Sequence, residues 1–362
     1  MSIESFYYQI INPNRKFYHL PLFAVLKFVS LFYSLIVRVR VWFYQKNVFE
    51  TRSLPVPVIS IGNLTLGGTG KTPMTIWVAQ KLLENGRQPA ILSRGYQANT
   101  KKNIEIVSNR SGILVEPELA GDEPAMMARR LKGVPVIVSK DRYEAGVLAV
   151  KKLGADSLIL DDGYQRLDVK RDLNILLIDH SHDFENDTIF PAGTLREPLK
   201  EAGRADLVCF TRAIADNLDP PAKNYSNAPI IKSQTVIKVL TDLELKKTRD
   251  INDLKGLRVC AFCGIAQPEK FKKLLELYGA QVVSFLSFPD HHYFKSSDIK
   301  SVEEKAKSCA AEIILTTEKD SVKLLEFSFS MPLFVAILDL NWLEGEDTLT
   351  HLLSKDYTSS KF

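Results

Sequence analysis

The chain has 362 residues, enough for two domains of ordinary size, and its 45% hydrophobic and 25% charged content is that of a globular protein rather than a disordered one. A net charge of +4 is mild and argues against a nucleic-acid partner. The four cysteines include one Cys260-Ala-Phe-Cys263 spacing but no second pair for zinc, so they read as buried small residues in a reducing, cytosolic setting.

The N-terminus departs from the rest. Leu20 to Val37 reads "LPLFAVLKFVSLFYSLIV", with Lys27 as its one charge. Residues 1–52 hold seven cationic and two acidic side chains, a local excess of +5 that is larger than the net charge of the whole chain. No small-residue cleavage site follows, which speaks against a signal peptide. A membrane span is marginal, because Lys27 interrupts a segment at the lower length limit. An interfacial helix held by cations and by Phe28, Phe32, Tyr33, Trp42, Phe43 and Tyr44 fits better, and a core helix of a soluble domain is the plain alternative.

The apolar run "VPVISI" predicts a buried strand, and "TPMTIWVAQKLLENG" predicts a helix stopped by Gly86. Between them lies "GNLTLGGTGKTP", residues 62–73. Glycines between a strand and a helix are the setting of a phosphate-binding loop. Gly67, Gly68 and Gly70 would let backbone N–H groups approach phosphate oxygens, with Thr65 and Thr69 in the same cradle. Lys71 would neutralise the outer phosphates, and the Thr72 hydroxyl would face Mg²⁺. The spelling is unusual. The strict pattern needs Gly where this chain has Thr65, and a known deviant needs Lys where it has Leu66.

Further on, "QPAILSRGY", "GVPVIVSKDRYEAGVLAVKKLGA", "DSLILDDGYQ", "LNILLIDH" and "ADLVCFTR" alternate strands with helices, which indicates a parallel sheet covered on both faces. A Pro- and Asn-rich connector at 217–229 and an extended ribbon, "IIKSQTVIKVL", lead to a second unit starting near Leu257. The expected organisation is a membrane-associated segment at 1–50, a P-loop core at 51–215, a linker ribbon at 216–245, a smaller α/β domain at 246–340, and a tail at 341–362 that packs back on the core. Closure about the linker would bring the two α/β units together.

Polar residues just after apolar runs are the ones to collect in such a sheet. Asp161 and Asp162 follow "SLIL" at the position where a carboxylate holds Mg²⁺. Asp122 in "GDEPAMMARRL" precedes a helix, where the pattern favours an N-cap over chemistry. Arg196 and Glu197 lie in "GTLREP", where Arg suits either an anion or a surface salt bridge. "FPDHHYF" places two histidines beside Asp290, an acid–base pair or a plain surface turn. "TTEKD" faintly echoes a base-reading motif, with Glu318 where Asn belongs.

Taken in order, "GNLTLGGTGKTP", "LSRGY", "GDEP", "DDGYQ", "PAGTLREP", "FCGIAQP", "FPDHHYF" and "TTEKD" resemble the tetraacyldisaccharide 4'-kinase family of Gram-negative lipid A biosynthesis. The resemblance implies a monotopic enzyme on the cytoplasmic face of the inner membrane, with no nucleic acid and no obligate protein partner. It would use ATP and Mg²⁺ to phosphorylate the 4'-hydroxyl of a tetraacyldisaccharide 1-phosphate, giving lipid IVA. It implies that Lys71 and Thr72 bind phosphates and metal, and that Asp161 and Asp162 are metal and electrostatic acids. Asp122 would be the catalytic base, paired with His291, although His292 stands beside it. Arg196 and Glu197 would orient phosphate and metal, and Arg94 and Tyr96 would line the site. The rival reading is a P-loop ATPase or GTPase of the metal-chaperone or partitioning type, and a non-enzyme reading is a nucleotide-gated membrane adaptor.

Overall fold

A computed structural model describes residues 3–12, 14–95, 98–182, 187–213, 226–355 and 357. Tyr96 and part of the expected linker lie outside them. Two helices come first, α1 (Ile3–Ile11) and α2 (Leu20–Gln45), the latter with Pro21 in its first turn, where a missing N–H costs nothing. The first α/β unit follows as β1 (Val58–Asn63), α3 (Lys71–Glu84), β2 (Pro89–Ser93), β3 (Ile104–Ser108), α4 (Pro117–Ala120), α5 (Asp122–Arg130), β4 (Val136–Ser139), α6 (Arg142–Leu153), β5 (Ser157–Asp161), β6 (Leu173–Asp179) and β7 (Leu207–Thr211). The second comprises β8 (Ile230–Thr241), β9 (Thr248–Arg249), β10 (Arg258–Cys263), α7 (Pro268–Leu277), β11 (Gln281–Ser287), α8 (Ser296–Ser308), β12 (Ile313–Thr317), α9 (Glu318–Ser321), β13 (Leu333–Glu344) and α10 (Glu346–Ser354).

Among the described residues, the strands form one sheet in the order β11-β10-β12-β13-β8-β7-β6-β1-β5-β2-β4-β3, with β9 beside β8. β1, β2, β4, β5 and β7 are buried at every position, because helices cover both faces of a parallel sheet. The edge strand β3 runs antiparallel to β4. The expected ribbon is β8. It pairs in parallel with β7 and antiparallel with β13, from Val335↔Thr241 to Glu344↔Lys232, and so carries one sheet through both units. The C-terminal helix α10 returns to α3: Leu349 and Leu353 join the core that holds Met74 and Trp77, and Trp342 meets Trp77 edge-on at 4.8 Å.

Helix α2 inverts the pattern of a soluble core helix. Its buried stripe is Ser30, Val37 and Val41. Phe28, Leu31, Phe32, Leu35, Ile36 and Trp42 face outward. Only 11% of its most apolar window is buried, so one N-terminal helix is compatible with membrane association and the core-helix alternative fails. The stripe is bonded to loops beyond the carboxyl ends of the first unit's strands. Ser30 Oγ donates to the Ile189 carbonyl at 2.6 Å, the Tyr33 hydroxyl to that of Arg196 at 3.2 Å, and Arg40 to that of Gln165 at 2.9 Å.

Candidate active site

The glycine loop runs from Asn63, the last residue of β1, to Lys71, the first of α3. Gly70 caps the helix at φ 83°, in the left-handed region that glycine enters at little cost. A side chain at Gly67 or Gly68 would meet nothing within 4 Å, so the cradle opens onto free space. Its back is braced. Thr211 Oγ1 at the end of β7 donates to the Thr69 carbonyl at 3.0 Å, the Leu66 amide to the Thr194 carbonyl at 2.7 Å, and Asn63 Nδ2 to the Thr65 carbonyl at 2.9 Å. Thr65 itself is buried and bridges to Leu195, while the buried Thr69 hydroxyl has no partner among the described residues. Thr72 sits in the first turn of α3, also buried.

Charge gathers at the mouth of this loop. Lys71 Nζ lies 3.3 Å from Asn63 Oδ1 and 3.5 Å from Asp162, and Arg196 grips both oxygens of Asp162 at 3.0 and 2.9 Å. Burial alone would raise the Asp162 carboxyl, but Lys71 and Arg196 outweigh it and hold the group below the usual carboxylate range. Asp161, the last residue of β5, accepts from Ser93 Oγ at 2.9 Å and from Thr75 Oγ1 at 3.4 Å. Burial, then the charges of Glu123 and Asp162, push its carboxyl up to about 6. A buried carboxylate crowded by others is short of a cation. Thr72 and Asp161 are hard oxygen donors of the kind Mg²⁺ takes, and among the described residues no trio of His, Cys, Asp or Glu forms a self-sufficient metal cage. Such a sparse donor set suits an ion that draws its other ligands from water and phosphate. Glu197 is buried and bonded to Arg204, and its Oε1 has no partner among the described residues.

The third group comes from the two units together. His291 Nδ1 lies 3.0 Å from Asp122 Oδ2, although 169 residues separate them. Lys323 Nζ reaches the same oxygen at 2.9 Å and Asp320 at 3.3 Å. The structure already holds the two units' groups in contact, where the sequence led us to expect that closure would be needed. Asp122 is also not the N-cap that the sequence pattern favoured. Gly121 caps α5, Asp122 is its first helical residue, and the carboxylate is used by His291 and Lys323. Burial would raise this carboxyl, but the His291 hydrogen bond and the Lys323 ammonium hold it below the usual range. His292 turns away, to Asp298 at 2.9 Å and stacked on Phe288.

Several residues here carried no sequence signal of their own. Lys323 and Arg142 lie in helix-like stretches among other charges, with nothing to single them out. Arg142 is fully buried, and burial followed by its neighbour Arg166 pushes its guanidinium down to about 10, against the pull of Asp161 and Asp162. Arg94 is exposed just past β2, close enough to act on Arg142. "TTEKD" proves to be a helix start. Thr317 caps α9 by accepting from the Asp320 amide, and the Asp320 carboxylate accepts from Thr317 Oγ1 at 2.6 Å and from the Gly264 amide at 2.9 Å. Gly264 in turn accepts from the His291 amide at 3.0 Å, which fixes His291 at φ 59°. A Cβ at Gly264 would stand 3.1 Å from the Pro289 carbonyl and 3.2 Å from His292 Cβ. Gly264→Ala should therefore displace this turn, lowering kcat while leaving ATP binding intact, at a stability cost of about 1–3 kcal/mol. Thermal melting and steady-state kinetics check this. Unchanged kcat would show that the turn does not position His291.

A glycine loop at a helix N-terminus, a lysine in it, and a carboxylate pair at the end of β5, the strand beside β1, define a P-loop phosphotransferase. The family model for tetraacyldisaccharide-1-P 4'-kinase matches residues 22–357. The chain belongs to that family. The tetraacyldisaccharide 4'-kinase of Syntrophus aciditrophicus is 42% identical over 84% of this chain and 85% of its own length. The enzyme of the same name from Geobacter sulfurreducens is 37% identical over 89% and 90%. A crystal structure of LpxK from Aquifex aeolicus in complex with ATP aligns with a TM-score of 0.78 and 36% identity, covering 92% of this chain and 98% of that one.

Proposed function

We propose that the protein transfers the γ-phosphoryl group of ATP to the 4'-hydroxyl of a tetraacyldisaccharide 1-phosphate, giving lipid IVA. Family membership supports the kinase activity, the lipid disaccharide acceptor and the use of ATP. The observation that carries the division of roles is the 3.0 Å contact between His291 and Asp122, which sets an oriented carboxylate in the same unit as the phosphate loop.

Backbone amides of Gly67, Gly68 and Gly70 hold the phosphate chain, with Thr65 and Thr69 shaping the loop. Lys71 moves from Asp162 to the outer phosphates, and Arg196 stays on Asp162 to orient it. Thr72 and Asp161 would hold Mg²⁺, with the Glu197 oxygen that has no partner among the described residues as a third candidate ligand. Held there, the ion would supply positive charge that offsets the phosphate oxygens. Asp122 orients the acceptor hydroxyl and takes its proton. A carboxylate held below its usual range is a weak base. It suffices here because phosphoryl transfer passes through a loose transition state, in which the attacking oxygen loses its proton late. This reading predicts that ATP consumption by the purified protein requires the lipid acceptor. Equal turnover without acceptor would favour a P-loop ATPase instead.

The acceptor's acyl chains stay in a bilayer, so the protein must work at one. We place α2 on the surface of the cytoplasmic leaflet of the inner membrane rather than across it. Its bonds to the catalytic loops run from Ser30 to Arg40, which a spanning helix could not keep. Phe28→Glu, Leu31→Glu and Leu35→Glu together should abolish sedimentation with vesicles of anionic phospholipid and raise the KM for the acceptor, with ATP binding retained. High salt should weaken vesicle binding of the parent only in part, since apolar burial persists when charges are screened. Full release by salt alone would contradict insertion of the helix.

A further inference from the structure

The phosphate loop departs from the usual spellings at Thr65 and Leu66, and residues 64–66 form one edge of a short ribbon. The Leu66 amide donates to the Thr194 carbonyl at 2.7 Å, the Arg196 amide to the Leu64 carbonyl at 2.7 Å, and Thr65 bridges Leu195 in antiparallel register. The far side of the same segment is zipped to the turn before it. The Leu195 amide donates to the Thr188 carbonyl at 3.1 Å, and the Phe190 amide to the Leu195 carbonyl at 2.8 Å. One carboxylate closes that turn. Asp187 Oδ1 accepts from the Thr188 amide at 2.7 Å and the Thr194 amide at 2.8 Å, and Oδ2 from Thr194 Oγ1 at 2.7 Å, with His182 Nε2 also 2.7 Å away. We infer that Asp187 is a positioning residue for the phosphate loop: it clasps the turn that holds residues 194–196 against residues 64–66, and so fixes the entry to the glycine cradle and the root of the Arg196 side chain.

The surroundings suit a clasp rather than a surface acid. The Asp187 side chain is only 9% exposed. Burial would raise its carboxyl, but the hydrogen bonds from His182 and Thr194 hold it below the usual range, in the ionised form that only accepts, as the Thr188 and Thr194 donors require. A side chain at Gly193 would collide with Asp187 Oδ1 and with the Thr188 backbone, so the turn is closed as tightly as it can be. Its outer face is held by the N-terminal helices. The Tyr7 hydroxyl donates to the Gly193 carbonyl at 2.8 Å, and Ser30 Oγ to that of Ile189 at 2.6 Å. From this turn, backbone bonds lead to the loop that ends in Lys71 and to the pair of Arg196 with Asp162. The β-branched Thr65 suits the paired, extended backbone here, where a free turn would call for glycine.

The inference rests on the reading of the glycine loop as the phosphate site, and two measurements separate them. The first needs no nucleotide. Amide hydrogen exchange of the full-length protein, followed by mass spectrometry, should quicken in peptides spanning 62–68 and 188–197 of Asp187→Ala. The second is ATP affinity by calorimetry. Asp187→Ala should weaken it roughly tenfold, the scale of one hydrogen bond to a charged group. Asp187→Asn, whose amide oxygen still accepts from both backbone amides, should restore most of the affinity and the slow exchange. Thr194→Val removes only the hydroxyl donor. It should show both changes to a smaller degree, and it serves if the Ala variant does not fold. Val302→Ala, a core truncation on α8 in the second unit, should lower Tm and produce neither change. Parental exchange at 62–68 in Asp187→Ala would overturn the inference. So would an Asn variant as weak as the Ala variant, the same changes in Val302→Ala, or parental ATP affinity in Asp187→Ala when Lys71→Ala has lost its turnover. Near-parental turnover in Lys71→Ala would instead bring down the phosphate-site reading.

Discussion

Lys71→Ala is expected to lower kcat by at least ~10²-fold, the scale on which a single group aimed at developing charge acts in a dry site. The lysine already sits at the mouth of the loop, shared between Asn63 and Asp162. Without it, the charge growing on the transferred phosphoryl group has no cation from the loop. The fold should tolerate the change. Asp162 keeps Arg196 as its partner, and a part-exposed ion pair contributes about 1 kcal/mol or less. Thermal melting beside steady-state kinetics separates the two effects. Near-parental turnover from a folded Lys71→Ala protein would mean that the glycine loop is not the phosphate site.

The second large effect belongs to Asp122 and His291. Asp122→Asn is the cleaner variant, because its amide oxygen can still accept from the buried Lys323 ammonium, which Asp122→Ala would leave with Asp320 alone. Asp122→Asn and His291→Ala should each lower kcat by ~10²-fold or more with ATP binding retained. The double variant should be little worse than either single one, since groups acting as a unit are non-additive. His292→Ala should be mild, because its ring is taken up by Asp298 and Phe288. The pH dependence has a definite sign. A carboxyl whose folded pKa is depressed contributes its stabilisation above the unfolded value, near ~4, and loses it only as pH falls through the lower folded value. Between about pH 5 and 8 Asp122 therefore stays ionised and sets no limb of the rate profile. Fully multiplicative losses in the double variant would dissolve the pair and leave Asp122 a structural partner of Lys323.

What the sequence disclosed, and what it hid, follows from the range of the interactions. The phosphate loop was legible because its chemistry is local: a strand, three glycines, a lysine and a threonine within a few residues. Asp161 and Asp162 were legible because a polar residue after an apolar run must lie at a strand's end. The outward apolar face of α2 was legible in composition alone. Lys323 was hidden because its partner lies 201 residues away and a lone lysine after a helix usually faces water. Arg142 was hidden because an arginine in the first turn of a helix usually faces water, whereas this one is buried and donates to the nearby Ser139 carbonyl. The local pattern favoured a cap at Asp122 because a capping acid and a buried acid with distant partners look alike in sequence, and only the contacts with His291 and Lys323 from the other unit tell them apart. The single sheet was hidden too. The alternating pattern of β8 reads as a ribbon whether it links two sheets or joins them, and its pairing with β13 is settled far along the chain.

The most direct test of the central claim is to incubate the purified protein with ATP, Mg²⁺ and a tetraacyldisaccharide 1-phosphate in mixed micelles, then locate the new phosphate by tandem mass spectrometry. The account predicts one added phosphoryl group on the 4'-oxygen of the distal glucosamine, formed only when ATP, Mg²⁺ and the lipid are all present and lost in Lys71→Ala. ADP released with no phosphorylated lipid, or a phosphate found elsewhere on the sugar, would contradict it.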